Sequence, residues 1–165
     1  MNKILIAILP LALAAACDKN PGVPADAQKT ADVLTGDAAG SADSNSLCKL
    51  FTVDEIASYE GAPVAPGTNA AMGTGCQWVH RQGSGNAMIQ VASARYYEES
   101  GDAVKSLPGV GEKAFVTPDM GGWKAGAIQR NKVIIVSTGG TSDATKVVAL
   151  LKEAMKRVKL IMPPL

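Results

Sequence analysis

Ala144, Val147, Val148, Leu151, Ala154, Met155 and Val158 recur at steps of three and four near the end of the chain. That period places them on one stripe of an α-helix, and the stripe must be buried against something. Just upstream, Val133-Ile134-Ile135-Val136 is apolar at every position. Such a strand is covered on both faces and belongs in the middle of a sheet. Gly139-Gly140 breaks the strand, and Ser142 or Asp143 is placed to cap the helix. The helix is expected to lay its stripe on the sheet. Lys152, Lys156, Arg157 and Lys159 crowd its C-terminal end, where cations suit the helix dipole.

A second helix announces itself at residues 53–60. Thr52 and Glu55 have the spacing of a capping box, and Phe51 and Ile56 that of a hydrophobic staple. Asp54 adds negative charge to the first turn, and Gly61 is a natural terminator. Residues 63–75 are loop by composition. Residues 76–80 and 87–94 read as an antiparallel pair around Gln82-Gly83-Ser84-Gly85-Asn86. Residues 96–107 are either a helix or an irregular crossing. Pro108-Gly109-Val110-Gly111 is a turn, followed by a short strand at 113–116. Residues 123–130 and 133–138 form a hairpin about Asn131-Lys132, where Asn tolerates the positive φ of a tight turn. The expectation is an α+β domain. Its sheet is mostly antiparallel with about five strands, and an N-terminal and a C-terminal helix pack on it.

The opposite end of the chain has another character. Met1-Asn2-Lys3 is a short basic start, and residues 4–13 are apolar apart from Pro10. Ala14-Ala15-Ala16-Cys17 follows. This is the layout of a secretory signal, and the run is shorter than the roughly 20 residues that a spanning helix needs. With Leu13 and three alanines ahead of Cys17, the segment resembles a bacterial lipobox. That resemblance implies a signal peptide at 1–16, a diacylglyceryl thioether and acylation at Cys17, and a stable hold on a bilayer. In enteric-type bacteria, Asp18 in the next position resembles an inner-membrane retention signal. Inner and outer membrane both stay open.

The chain has three cysteines, an odd number that calls for explanation in an oxidising compartment. With Cys17 as the lipidation site, Cys48 and Cys76 remain as a pair. Their disulfide would close a loop worth roughly 3.5 kcal/mol by chain entropy. A redox role would want the close Cys-x-x-Cys spacing, which is missing.

Residues 17–46 read as the lipidated cysteine and a flexible tether. From Asp18 onward, Asp18, Asp26, Asp32, Asp37 and Asp43 stand against Lys19 and Lys29, with no aromatic residue. Such a stretch cannot bury enough apolar surface to offset its ordering entropy. As a coil it would reach roughly 30 Å. A short helix over 25–34 is the alternative. The compact domain is placed at 47–160 and a tail at 161–165. The formal net charge of +1 is a sum of an acidic tether and a mildly basic domain, and does not suggest a nucleic-acid partner.

Chemistry is hard to find. His80 is the only histidine, so a histidine-rich metal site is excluded, and neither metal nor cofactor is expected. No Gly-x-Ser-x-Gly elbow surrounds Ser84, and Gly109-Val110-Gly111-Glu112-Lys113 lacks the spacing of a phosphate loop. His80 is expected at a strand end near solvent. Gly139-Gly140-Thr141-Ser142 leads into a helix start, where anions can bind, but Asp143 offers its own carboxylate there. Glu98 and Glu99 are adjacent and point apart, a poor acid–base pair. Trp78 and Trp123 are each either core or an anchor for a partner; Trp123 beside Gly121-Gly122 is the better anchor.

Cys48-Lys49-Leu50-Phe51-Thr52-Val53-Asp54-Glu55, Cys76-Gln77-Trp78 and Pro108-Gly109-Val110-Gly111-Glu112-Lys113-Ala114-Phe115 stand ahead of an apolar strand and a terminal helix. Together they resemble the lipoproteins grouped as domain-of-unknown-function family 3558, across roughly residues 47–158. The resemblance implies an envelope location, the disulfide and an α+β fold, and it carries over no catalytic residue. The expected function is therefore a non-enzymatic, lipid-anchored cell-envelope protein, facing the periplasm or exterior, that binds a protein or small ligand. Three alternatives are an immunity-type lipoprotein blocking an envelope-targeted effector, a small-ligand sensor or carrier, and a hydrolase using His80 with a serine.

Overall fold

A computed structural model describes residues 45–97, 103–140 and 143–161. The leader, Cys17, the tether up to residue 44, Glu98 and Glu99, and Thr141 and Ser142 lie outside the described residues, while Asn45 and Ser46 at the end of the expected tether are described.

The helix α1 covers Val53–Glu60. Its capping box is complete: Thr52 Oγ1 accepts from Glu55 N, and Glu55 Oε2 accepts from Thr52 N at 2.8 Å. Gly61 ends it in the left-handed region, at φ 74°, which costs glycine nothing. The helix α2 covers Ala144–Ile161. Asp143 caps it, its Oδ1 accepting from Lys146 N at 2.9 Å.

Among the described residues, seven antiparallel strands make one sheet. They are β1 Thr68–Ala70, β2 Gly75–Val79, β3 Asn86–Ser93, β4 Lys105–Ser106, β5 Lys113–Asp119, β6 Gly122–Gln129 and β7 Lys132–Gly139. Their order is β1-β2-β3-β7-β6-β5-β4. Two meanders therefore meet at the β3–β7 pair, and the doubly apolar β7 lies in the middle, as its composition demands. The expected five strands become seven. The two additions, β1 and β4, are edge strands of three and two residues, too short to show an alternation. Of residues 96–107, the described ones hold the end of a 3-10 turn at Ala94–Tyr96 and the short strand β4, and residues 98–102, on which the choice between helix and crossing turns, lie outside the described residues.

One correction concerns the β6–β7 hairpin. Its turn is Arg130-Asn131, both at positive φ (49° and 58°), and Lys132 already pairs with Gln129. Asn131 does adopt the left-handed conformation expected of it, but as the second turn residue. This is the pattern of the tight hairpin turn whose twist matches that of the strands.

Register sorts the two faces. Ile89, Val136 and Ala125 align across β3, β7 and β6 and are fully buried. This face carries the main core, with Ile56 of α1 and Val147, Leu150, Leu151 and Ala154 of α2. Cys48 and Cys76 are joined by a disulfide that ties the 3-10 turn ahead of α1 to β2. On the other face Phe115 lies over Gly126, where an added Cβ would come within 2.6 Å of the ring. Tyr97 meets Phe115 edge to face at 5.5 Å. Tyr97 thus lies on the face opposite the helices.

Candidate functional site

Two ends of the sheet must be distinguished. At one end stand the β2–β3 turn, the β5–β6 turn, the end of β7, the end of α1 and the start of α2. At the other stand residues 70–75, the β6–β7 turn, the start of β5 and the last turn of α2.

The first end holds a buried ionisable pair. Glu60, the last residue of α1, is 0% exposed, and His80, just past β2, is 9% exposed. His80 Nε2 and Glu60 Oε2 are 2.7 Å apart. Desolvation pushes the Glu60 carboxyl up from its ordinary range. The His80 contact, a backbone hydrogen bond from Gly139 and the charge of Lys146 pull it partly back. The imidazole fits because two glycines flank it. A Cβ at Gly85 would fall 2.2 Å from His80 Cε1, and one at Gly140 would fall 3.0 Å away. Backbone contacts complete the setting, with His80 N donating to Gly85 O and Val64 bridging to His80.

This corrects the expectation that His80 lies near solvent. Strand-end position alone suggests exposure, but α1, the β2–β3 turn and the end of β7 converge on the ring. A carboxylate beside an imidazole can orient a general base. Here the contacted ring nitrogen faces Glu60, and among the described residues no serine side chain is hydrogen-bonded to the ring. The arrangement serves as a polar bridge between α1 and the sheet. Sequence reasoning missed Glu60, because nothing in a helix-ending glutamate announces a buried partner 20 residues on.

The tryptophans separate. Trp78 is 1% exposed and belongs to the core, which removes it as a surface anchor. Trp123 lies on β6, half-buried, packed against the core cluster and paired across to Thr138. It sits on a strand rather than on a loop. The neighbouring turn is Met120-Gly121, both at positive φ, and Met120 is fully exposed. Met120 is the apolar side chain most open to a partner at this end, and composition alone did not single it out.

Cys48 and Cys76 are joined as expected, and Cys17 lies outside the described residues. Among the described residues no group of three histidine, cysteine, aspartate or glutamate side chains could hold a metal ion. Among the same residues no helix is long and apolar enough to cross a membrane.

The fold defines an α+β domain with two helices on one face of a seven-stranded antiparallel sheet, stapled by one disulfide. Compared with known proteins, the chain matches no family model and no curated protein.

Proposed function

We propose that this chain is a lipid-anchored, non-catalytic binding protein of the bacterial cell envelope, facing the periplasm. The Cys48–Cys76 disulfide carries the reading. Structural disulfides belong to oxidising compartments. That pair accounts for two of the three cysteines, and the third, Cys17, stands directly after Ala14-Ala15-Ala16. A thiol in that place is the attachment point for lipid.

Binding rather than catalysis accords with the Glu60–His80 geometry, which spends the only histidine on a buried bridge. The exposed Met120 beside the half-buried Trp123 offers an apolar contact for a protein partner. Methionine adapts to varied partner surfaces.

Metabolic labelling with a fatty-acid analogue tests the anchor. The wild-type chain should take up label and fractionate with membranes, and Cys17→Ser should lose the label. Unchanged labelling of Cys17→Ser would sink the lipoprotein reading. For the binding surface, Met120→Asp should weaken capture of a partner from native envelopes while leaving the folding midpoint in place.

A further inference from the structure

We propose that the end of the sheet where the chain enters the domain is a docking surface for anionic phospholipid headgroups. The proposal rests on the lipid-anchor reading for its setting.

The point of entry is fixed by a buried contact. Asn45 Nδ2 donates to Gly75 O at 2.7 Å, and Gly75 is the first residue of β2. Register puts the end of β3 and the start of β7 at this same end, since Ser93 pairs with Lys132. Lys113 pairs with Ile128, one residue before the last of β6. The Gln129 amide, turned to satisfy both its partners, accepts from Lys159 Nζ at 3.1 Å, which brings the last turn of α2 here too.

The charges at this end are mostly positive. Arg95, Lys113, Arg130, Lys132, Lys156 and Lys159 are all exposed. Among the described residues of these turns and element ends, two carboxylates stand with them: Glu112 accepts from Arg130 N, and Glu153 Oε2 lies 3.9 Å from Lys156 Nζ. Lys152, Lys156 and Lys159 line a hollow of about 250 Å³ between α2 and the Gly109–Gly111 turn.

Exposed apolar side chains accompany the cations. Met72 is 84% exposed in the turn after β1, Tyr96 follows β3, and Ile161 ends α2. Among the described residues five large hydrophobic side chains stand exposed, and these three share the basic end. Cations around a few apolar or amphipathic tips suit the bilayer interface, where phosphates lie next to the acyl boundary. The 27 residues between Cys17 and Asn45, with a coil reach of roughly 30 Å, are long enough to let this end meet the lipid. Docking here turns Met120 and Trp123, at the opposite end, away from the bilayer and toward a partner.

The lipidated protein reconstituted in phosphatidylcholine vesicles, with or without phosphatidylglycerol, tests the surface by lysine acylation read by mass spectrometry. Lys113, Lys132, Lys156 and Lys159 should lose labelling severalfold in the phosphatidylglycerol vesicles and regain it in high salt. Lys124 and Lys146, toward the other end, should not change. Equal labelling of both sets overturns the proposal. So does protection that is the same in both kinds of vesicle, the result expected if the acidic segment ahead of Asn45 covers the basic end instead.

A second arm is independent of the anchor. Each basic side chain near an anionic surface contributes roughly fivefold in affinity. The unlipidated mature chain from Asp18 onward should therefore co-float with phosphatidylglycerol vesicles at low salt. Lys113→Glu, Lys132→Glu and Lys159→Glu together should lower that binding at least tenfold. Absent binding, or binding these substitutions leave intact, refutes the surface even when the Cys17 label shows that the anchor stands.

Discussion

His80 Nε2 lies 2.7 Å from Glu60 Oε2, and the two side chains are 5% and 0% exposed. The contact joins the last residue of α1 to the residue after β2, so it holds a helix end against the sheet.

His80→Ala strands the Glu60 carboxyl in a buried site. Removing one partner of a buried pair costs about 3 kcal/mol or more. The urea midpoint should drop accordingly, and a variant as stable as wild type would show that the pair holds nothing together. Gly85→Ala should also destabilise, because its Cβ would meet the imidazole at 2.2 Å.

Glu60 sets a dependence on pH. Burial raises its carboxyl above the ordinary 4.5, so near and above that pH the folded chain keeps a proton that the unfolded chain has lost. Its contribution to stability is therefore full below about 4.5 and falls as pH rises through the raised folded value. Glu60→Gln cannot ionise. The stability of this variant relative to wild type should improve as pH is raised, measured by urea titration from acid to neutral. A difference that stays flat or runs the other way would contradict the assignment.

Arg157 ties α2 to α1 with a sign opposite to that of Glu60. Its guanidinium donates to both Glu55 carboxylate oxygens, at 2.7 and 3.1 Å, to Glu153 and to the Leu50 carbonyl, and stacks over Phe51. The Arg157 hydrogen bond, followed by that from Thr52 N, draws the Glu55 carboxyl down to about 2. This contribution is present above the ordinary 4.5 and is lost as pH falls toward 2. Arg157→Ala should cost about 2 kcal/mol and flatten the acid limb of the stability curve. Arg157→Lys should not restore it, because a lysine lacks the planar fork.

Cys48→Ser with Cys76→Ser opens a loop with a separation of 28 residues. Chain entropy puts the loss at roughly 3.5 kcal/mol. Calorimetry of the oxidised and reduced wild-type protein should give a matching shift. No change on reduction would mean that the core alone supports the fold.

Gly126→Ala probes the face away from the helices. Its Cβ would press on Phe115 at 2.6 Å, and forcing a ring out of place costs about 1–3 kcal/mol. Near-ultraviolet circular dichroism should report the change at Phe115 and Tyr97. An unperturbed spectrum and midpoint would show that the ring has room to spare.

The elements legible in the sequence are those whose signals are local. Thr52 and Glu55 cap α1 through contacts three residues apart, and the stripe from Ala144 to Val158 needs only the helical period. β7 betrays its central place because Val133 and Ile134 must be covered on opposite faces. The edge strands β1 and β4 gave no such signal, since a few residues with one neighbour have no pattern to impose. His80 was misread for a different reason. Its burial depends on Glu60, Gly85 and Gly140, which reach it from three parts of the chain. Residue type records what a side chain can do, while tertiary pairing decides what it meets. The same holds for the basic end, whose cations come from β5, β7, two turns and α2.

The meeting of two meanders at β3 and β7 has a consequence for how the chain folds. Residues 68–93 can pair among themselves, and Cys48 can find Cys76, before the second half has folded. Until Lys132–Gly139 arrives, however, β3 presents an open row of amide and carbonyl groups. Such an edge is a template for a wrong strand from another chain. The half-folded protein is therefore most vulnerable between the closing of its disulfide and the docking of β7.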